Sequence, residues 1–123
     1  MTRRVVKEVP STSFERVREV GLALPDVKAA TRYDGAPVLQ VGGCFMAGLA
    51  MHPSAEPDTL IVRVGIEERG YLLEDAPDTY YLTDDYRDHP IVLVRLSHID
   101  REALRDLLSV SRRLTLAKAR KRA

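Results

Sequence analysis

The chain has 123 residues, 45% of them hydrophobic, which suffices for one core of ordinary size and excludes two self-sufficient domains. We expect a single domain over 1–123 with flexible basic ends at about 1–10 and 115–123. The formal net charge at pH 7 is +1. The one cysteine, Cys44, excludes an internal disulfide and a multi-cysteine metal cluster. The N-terminus lacks the apolar stretch of a signal peptide and no apolar run is long enough to span a bilayer, which favours a soluble, cytoplasmic protein.

The first predicted element is a helix over 13–23. Thr12 and Glu15 have the spacing of a capping box, in which side chain and backbone satisfy each other at the first turn. Apolar residues then recur at helical spacing as far as Leu24, and Pro25 stops the helix because it cannot continue the hydrogen-bond ladder.

Short apolar runs between turn residues predict three antiparallel strands at 38–41, 44–49 and 59–64. Gly42 and Gly43 separate the first two by the two residues of a tight hairpin, where glycine adopts positive φ without cost.

A second helix is predicted over 66–74, followed by strands at 79–82 and 91–96. The last helix should run from 101 to at least 113, with Asp100 as its N-cap. Its apolar stripe comprises Leu104, Leu107, Leu108, Ser111 and Leu114.

The order α-β-β-β-α-β-β-α predicts a two-layer α+β domain, with about five antiparallel strands and the helices on one face. Alternation along 59–64 and 91–96 places Arg63 and Arg95 on the face opposite the all-aliphatic set. If that face is open, the two arginines suit a phosphate, a peptide or a partner subunit. The alternative is that each arginine lies along apolar neighbours and pairs with a nearby acid.

Four segments resemble the MmcQ/YjbR family. They are FERVREVGLALPDV at 14–27, IVRV with IEERGYLL within 61–73, YYLTDDYRDHPIVLVRL at 80–96 and IDREALRDLL at 99–108. The resemblance covers about 13–114. Asp85 stands where the family often has histidine, and Gly65 with Ile66 where it often has Asp-Pro.

This resemblance implies the same order of elements, in a fold similar to secretion chaperones and frataxin-like CyaY proteins. Family members are commonly described as DNA-binding, with no established reaction and no agreed catalytic residues. We therefore expect a non-enzymatic protein without a cofactor, whose ligand is double-stranded DNA. The alternative is a protein-interaction or chaperone-like module that uses an open sheet face or forms a homodimer.

Charge is unevenly distributed along the chain. Residues 8–111 contain all eighteen acids and ten basic residues, which leaves about −8, whereas 112–123 contain six basic residues and no acid. Such a tail attracts polyanions, although basic residues at a chain end also serve solubility. The predicted nucleic-acid contacts are Arg63, Arg95, Arg112, Arg113, Lys118, Arg120, Lys121 and Arg122.

The stretch TDDYRDHP at 83–90 is rich in possible ligands. Asp84, Asp85, Asp88 and His89 are residue types that bind magnesium, manganese or iron. We favour a structured turn in which Asp84 orders the loop and Tyr86 packs, and we predict no metal and no catalytic residue here.

Overall fold

The structure is a computed structural model that describes residues 8–122, with side chains described from 13 to 121. The helices are α1 (Glu8–Leu22), α2 (Ile66–Asp75) and α3 (Arg101–Arg122). The strands are β1 (Val27–Thr31), β2 (Pro37–Val41), β3 (Cys44–Leu49), β4 (Thr59–Arg63), β5 (Tyr80–Tyr81) and β6 (Ile91–Arg95). Single 3₁₀ turns occur at Asp84–Tyr86 and Leu96–His98.

The strands form one antiparallel sheet in the order β1-β2-β3-β4-β6-β5. The predicted α+β class is confirmed, but the sheet has six strands instead of five. The additional strand is β1, which lies at the edge of the sheet and buries only its first residue, Val27, fully. Its sequence, VKAAT, lacks the apolar alternation that marks a strand, so the pattern missed it.

Helix α1 begins at Glu8, so the predicted start at Thr12 is wrong. Thr12 lies one turn inside the helix. Of the segment predicted as a flexible end at about 1–10, residues 8–10 belong to α1, so that part of the prediction is wrong. Residues 1–7, with Arg3, Arg4 and Lys7, lie outside the described part of the chain.

Gly21 brings α1 close to the sheet. A Cβ added here would overlap the buried side chain of Leu39 on β2 and would lie 3.7 Å from Leu108 on α3. We expect Gly21→Ala to lower the free energy of unfolding by about 1–2 kcal/mol, because overpacking outweighs the helix propensity gained. Chemical denaturation measures this loss.

The matched control for Gly21 is Gly70 in α2, where an added Cβ meets nothing within 4 Å. Gly70→Ala should raise stability by up to about 1 kcal/mol, since only the propensity difference acts. If Gly21→Ala and Gly70→Ala changed the free energy of unfolding in the same direction, the close approach at Gly21 would be contradicted.

The two faces of the sheet are buried differently. Leu60, Val62 and Val64 belong to the main core beneath the helices, together with Val92 and Val94 of β6, as strand alternation predicts. The opposite face carries a second, smaller cluster of buried residues, namely Ile61, Ile91 and Leu93. Half-buried side chains that pack on this second cluster are Phe45, Ala50, Tyr81, Leu82 and Tyr86.

A β-bulge in β3 sets which side chains reach the second cluster. Leu39 pairs with Ala47, but the next residue, Gln40, pairs with Phe45, so Met46 is the extra residue. Met46 and Ala47 are both buried in the main core, whereas Phe45 packs on the opposite face. Without the bulge, Phe45 and Ala47 would share a face.

Helix α3 docks on the sheet through its first four turns. The predicted N-cap is observed, since an Asp100 carboxylate oxygen accepts from the backbone N–H of Ala103 at 2.8 Å. The buried stripe ends at Thr115, whose hydroxyl donates to the Ser111 carbonyl, and not at Leu114, which is half-buried. The Ser111 hydroxyl donates to the Met46 carbonyl at 3.0 Å and so ties α3 to β3.

Candidate functional site

The predicted nucleic-acid contacts fall into two groups that the fold keeps apart. The group from α3 lies on the helix-covered side of the sheet. Arg63 and Arg95 end two neighbouring strands, and Arg63 lies beside the second cluster on the opposite face. The structure therefore does not combine these residues into one surface.

The first group forms what we call the basic end of α3, residues 112–122. The helix continues to Arg122, so the segment predicted as a flexible end is helical over 115–122, and Thr115 is the last buried side chain of those described. Arg113, Lys118, Arg120 and Lys121 are all exposed. The side chain of Arg122 lies outside the described residues. The sequence contains no acid after Asp106, so this helix end is purely cationic.

Two contacts hold the basic end of α3 against the body. Arg112 is half-buried and its Nε donates to the Pro25 carbonyl at 2.7 Å, which makes it partly structural. The β2–β3 turn also lies beside the helix, since a Cβ on Gly42 would lie 3.0 Å from that of Ala119. Gly42 and Gly43 have φ of 60° and 77°, as the predicted tight hairpin requires. The cationic helix end is therefore fixed in orientation.

Arg95 is engaged by the protein itself. Its Nε and Nη2 donate to the two carboxylate oxygens of Glu56 at 2.9 and 2.8 Å. Its Nη1 donates to the Pro77 and Asp78 carbonyls, and the guanidinium lies 4.3 Å from the ring centroid of Tyr81. The hydrogen bond with Glu56 raises the pKa of Arg95 and lowers that of Glu56. Arg95 thus matches the pairing alternative and is not available to a phosphate.

Arg63 differs from Arg95. It is half-buried, and its Nε donates to the Phe45 carbonyl at 2.9 Å. No carboxylate pairs with it, and its two terminal nitrogens have no hydrogen-bond acceptor, within residues 8–122. Burial lowers the pKa of Arg63, since removal of water disfavours the charged form.

Arg63 lines a groove on the helix-free face. The groove consists of two adjoining cavities of about 300 and 430 Å³ that share Arg32, Ile61 and Tyr86. The smaller cavity is also lined by Phe45, Arg63, His89, Pro90 and Ile91. The larger is also lined by Tyr33, Asp34, Met51, His52 and Pro53. We call these two cavities together the sheet-face groove.

The stretch TDDYRDHP forms one wall of the sheet-face groove. Tyr86 packs on the second cluster, with its ring edge-on to His52 at 6.0 Å between centroids, and burial raises its pKa. The Asp84 carboxylate is 94% exposed and contacts Arg87 at 3.0 Å. Tyr86 therefore anchors this loop on the sheet, whereas the Asp84 carboxylate makes its contact within the loop. In the described part of the chain, no three His, Cys, Asp or Glu residues are grouped so that they could hold a metal ion.

Sequence reasoning missed two arginines that shape this region. Arg32 donates two hydrogen bonds of 3.1 Å to the Asp34 carboxylate, and this contact lowers the pKa of Asp34. Arg32 also donates to the Leu49 carbonyl. The Asp-Gly turn at 34–35 was its only available signal. Arg69 is buried in α2 and donates to the carbonyls of His89 and Ile91 at 2.8 and 3.2 Å. An arginine on an amphipathic helix is ordinarily exposed, so no sequence signal marked it.

Comparison with known proteins finds no match, whether to a family model, a curated protein or a solved structure. The resemblance to MmcQ/YjbR therefore stays a prediction. None of the helices formed by the described residues has the length and apolar character needed to cross a membrane.

Proposed function

We propose that this chain is a non-enzymatic, MmcQ/YjbR-like protein that binds double-stranded DNA through the basic end of α3. The observation that carries the proposal is the continuation of α3 beyond its last buried residue as an exposed, acid-free cationic helix. Helical cations on a rigid support contact phosphates without the entropic cost of ordering a free tail.

The charge of the body restricts the contact to this helix end. Residues 8–111 carry about −8, so a broad face that follows the DNA backbone would meet repulsion. Arg113 and Arg120 are seven positions apart and so lie on nearly the same side of the helix, about 10 Å from each other along its axis. Contacts of this kind are made to phosphates and carry little sequence preference.

The salt dependence of binding tests this proposal. Four phosphate contacts, from Arg113, Lys118, Arg120 and Lys121, predict a slope of about −3.6 for log K against log salt, or about a tenfold loss when salt doubles. Fluorescence anisotropy of a labelled duplex, titrated at several salt concentrations, measures this slope. Replacing all four residues with glutamine should weaken binding at least about 100-fold at low salt.

A matched control makes the same change of net charge elsewhere. Lys28, Arg87, Arg101 and Arg105 are also exposed, and their joint replacement with glutamine should leave affinity within about threefold. If the fourfold α3 variant and the fourfold control variant lost the same affinity for DNA, binding would depend on net charge alone. No binding by the unmodified chain at low salt would refute the proposal.

A further inference from the structure

Of the described arginines, Arg63 and Arg112 are half-buried and each has one carbonyl acceptor and no carboxylate partner. The hydrogen bond of Arg63 is partly buried, whereas that of Arg112 is exposed to solvent, so the burial of Arg63 is the less compensated of the two. Arg18, Arg32, Arg87, Arg95 and Arg101 each pair with a carboxylate. Arg16 and Arg69 each donate to two backbone carbonyls. Arg63, although half-buried, donates to one carbonyl through Nε. A partly desolvated cation with free donors is stabilised by an anion that can reach it.

The cavity around Arg63 has room for an anion, and the charged arginines in its lining, Arg32 and Arg63, are both positive. Among the described residues, no carboxylate lines the cavity of about 300 Å³, and the one acid that lines the adjoining cavity, Asp34, is held by Arg32. By contrast, the cleft of about 350 Å³ between α2 and α3 has Glu68 and Asp106 in its lining. Charge complementarity thus singles out the sheet-face groove.

The shape and lining of the groove specify the rest of the ligand. Apolar side chains of Phe45, Ile61 and Ile91 line the cavity beside the guanidinium, and Tyr86 lines both this cavity and the larger one. Phe45 is held in place because it packs over Gly48, where an added Cβ would lie 3.0 Å from its ring. Small-molecule sites combine apolar walls with few polar groups in this way, and total volumes of several hundred Å³ are typical.

The single positive charge of Arg63 fits a monocarboxylate better than a phosphate monoester, which carries about −1.5 to −2 near pH 7. With Nε bound to Phe45, the edge formed by the two terminal nitrogens is left, and it matches the two oxygens of one planar carboxylate. The neighbouring Arg32 already donates to Asp34 and to the Leu49 carbonyl. A single uncompensated guanidinium balances one negative charge.

We infer that the sheet-face groove binds a small organic monocarboxylate, with its carboxylate on the terminal nitrogens of Arg63 and its apolar body against Phe45, Ile61 and Ile91. The site lies on the face opposite the basic end of α3 and does not depend on the DNA-binding proposal.

Titration with defined probes tests this site. Benzoate and hexanoate, added to the full chain and followed by two-dimensional amide NMR, should shift the amide signals of Phe45, Ile61 and Ile91 with millimolar or tighter affinity. Benzamide, which keeps the ring and loses the charge, should bind at least about tenfold more weakly. Phenyl phosphate should bind no more tightly than benzoate.

Variants separate the role of Arg63 from general effects of charge. Arg63→Gln should reduce benzoate affinity at least about tenfold, whereas Arg63→Lys should keep part of it and lose the two-point geometry. Arg87→Gln removes an exposed charge from the adjacent loop and should change affinity less than about twofold. The comparison of benzoate with benzamide needs no variant, so it holds even if Arg63→Gln unfolds.

Three outcomes would overturn the inference. These are equal binding of benzoate and benzamide, absence of shifts at tens of millimolar benzoate, and phenyl phosphate binding at least about tenfold more tightly than benzoate. The last outcome would assign the groove to a phosphate ester.

Discussion

Replacing Arg69 with methionine is expected to lower the free energy of unfolding by about 2–4 kcal/mol. Arg69 is 9% exposed, and its guanidinium donates to the carbonyls of His89 and Ile91, where the chain leaves the 82–90 loop and begins β6. Methionine fills similar space but leaves both carbonyls without this donor, and hydrogen bonds from charged groups stabilise more than neutral ones. Denaturant unfolding followed by circular dichroism gives the difference.

The control for Arg69 is Arg87→Met in the loop itself. Arg87 is 61% exposed, and its contact with Asp84 is a surface ion pair, so its loss should change stability by less than about 0.5 kcal/mol. Arg69→Lys should recover part of the loss, because an ammonium can donate to one carbonyl but lacks the planar fork. If Arg69→Met and Arg87→Met both changed the free energy of unfolding by less than about 0.5 kcal/mol, Arg69 would not secure the loop.

The second large effect is expected at Leu93, on the face that no helix covers. Leu93 is 0% exposed, pairs with Ile61 on β4 and lies two residues along β6 from Ile91, and these three are the buried members of the second cluster. Leu93→Ala should cost about 2–4 kcal/mol, through lost burial and the cavity left behind. The loss should resemble that of Leu60→Ala, which removes a fully buried leucine of the main core from the neighbouring strand β4.

Leu22→Ala provides the comparison for Leu93. Leu22 ends α1 with 40% exposure, and alanine favours the helix, so the loss should stay below about 1 kcal/mol. Thermal or chemical denaturation of Leu93→Ala, Leu60→Ala and Leu22→Ala ranks the three sites. A loss at Leu93 as small as that at Leu22 would mean that the helix-free face contributes no core.

Local patterns predicted the elements with strong periodicity. The alternation of β4 and β6 correctly separated Val62 from Ile61, because both strands are buried on both faces and their register is fixed by pairing. The Asp100 cap was also found, since capping depends on residues adjacent in sequence. The predicted start of α1 was wrong because the capping-box spacing of Thr12 and Glu15 falls inside a helix that is already formed at Glu8.

The candidate site depended on contacts that no local pattern contains. Whether Arg95 is free was decided by Glu56, 39 residues away in sequence. Whether Phe45 reaches Arg63 was decided by the bulge at Met46, which reverses the expected face of one side chain. Alternation predicted that both arginines lie on the face opposite the aliphatic set, but tertiary pairing determined that Arg63 keeps unpaired donors and Arg95 does not.

The two edges of the sheet bear on how the chain behaves at high concentration. A long, flat, apolar edge strand is a template on which another molecule can add a strand, and aggregation begins there. β5 has two residues, and β1 is an exposed strand with Lys28 near its middle, a charge that must be desolvated if a second strand pairs alongside. Both edges are therefore poor templates, and we expect the sheet to end with its own six strands.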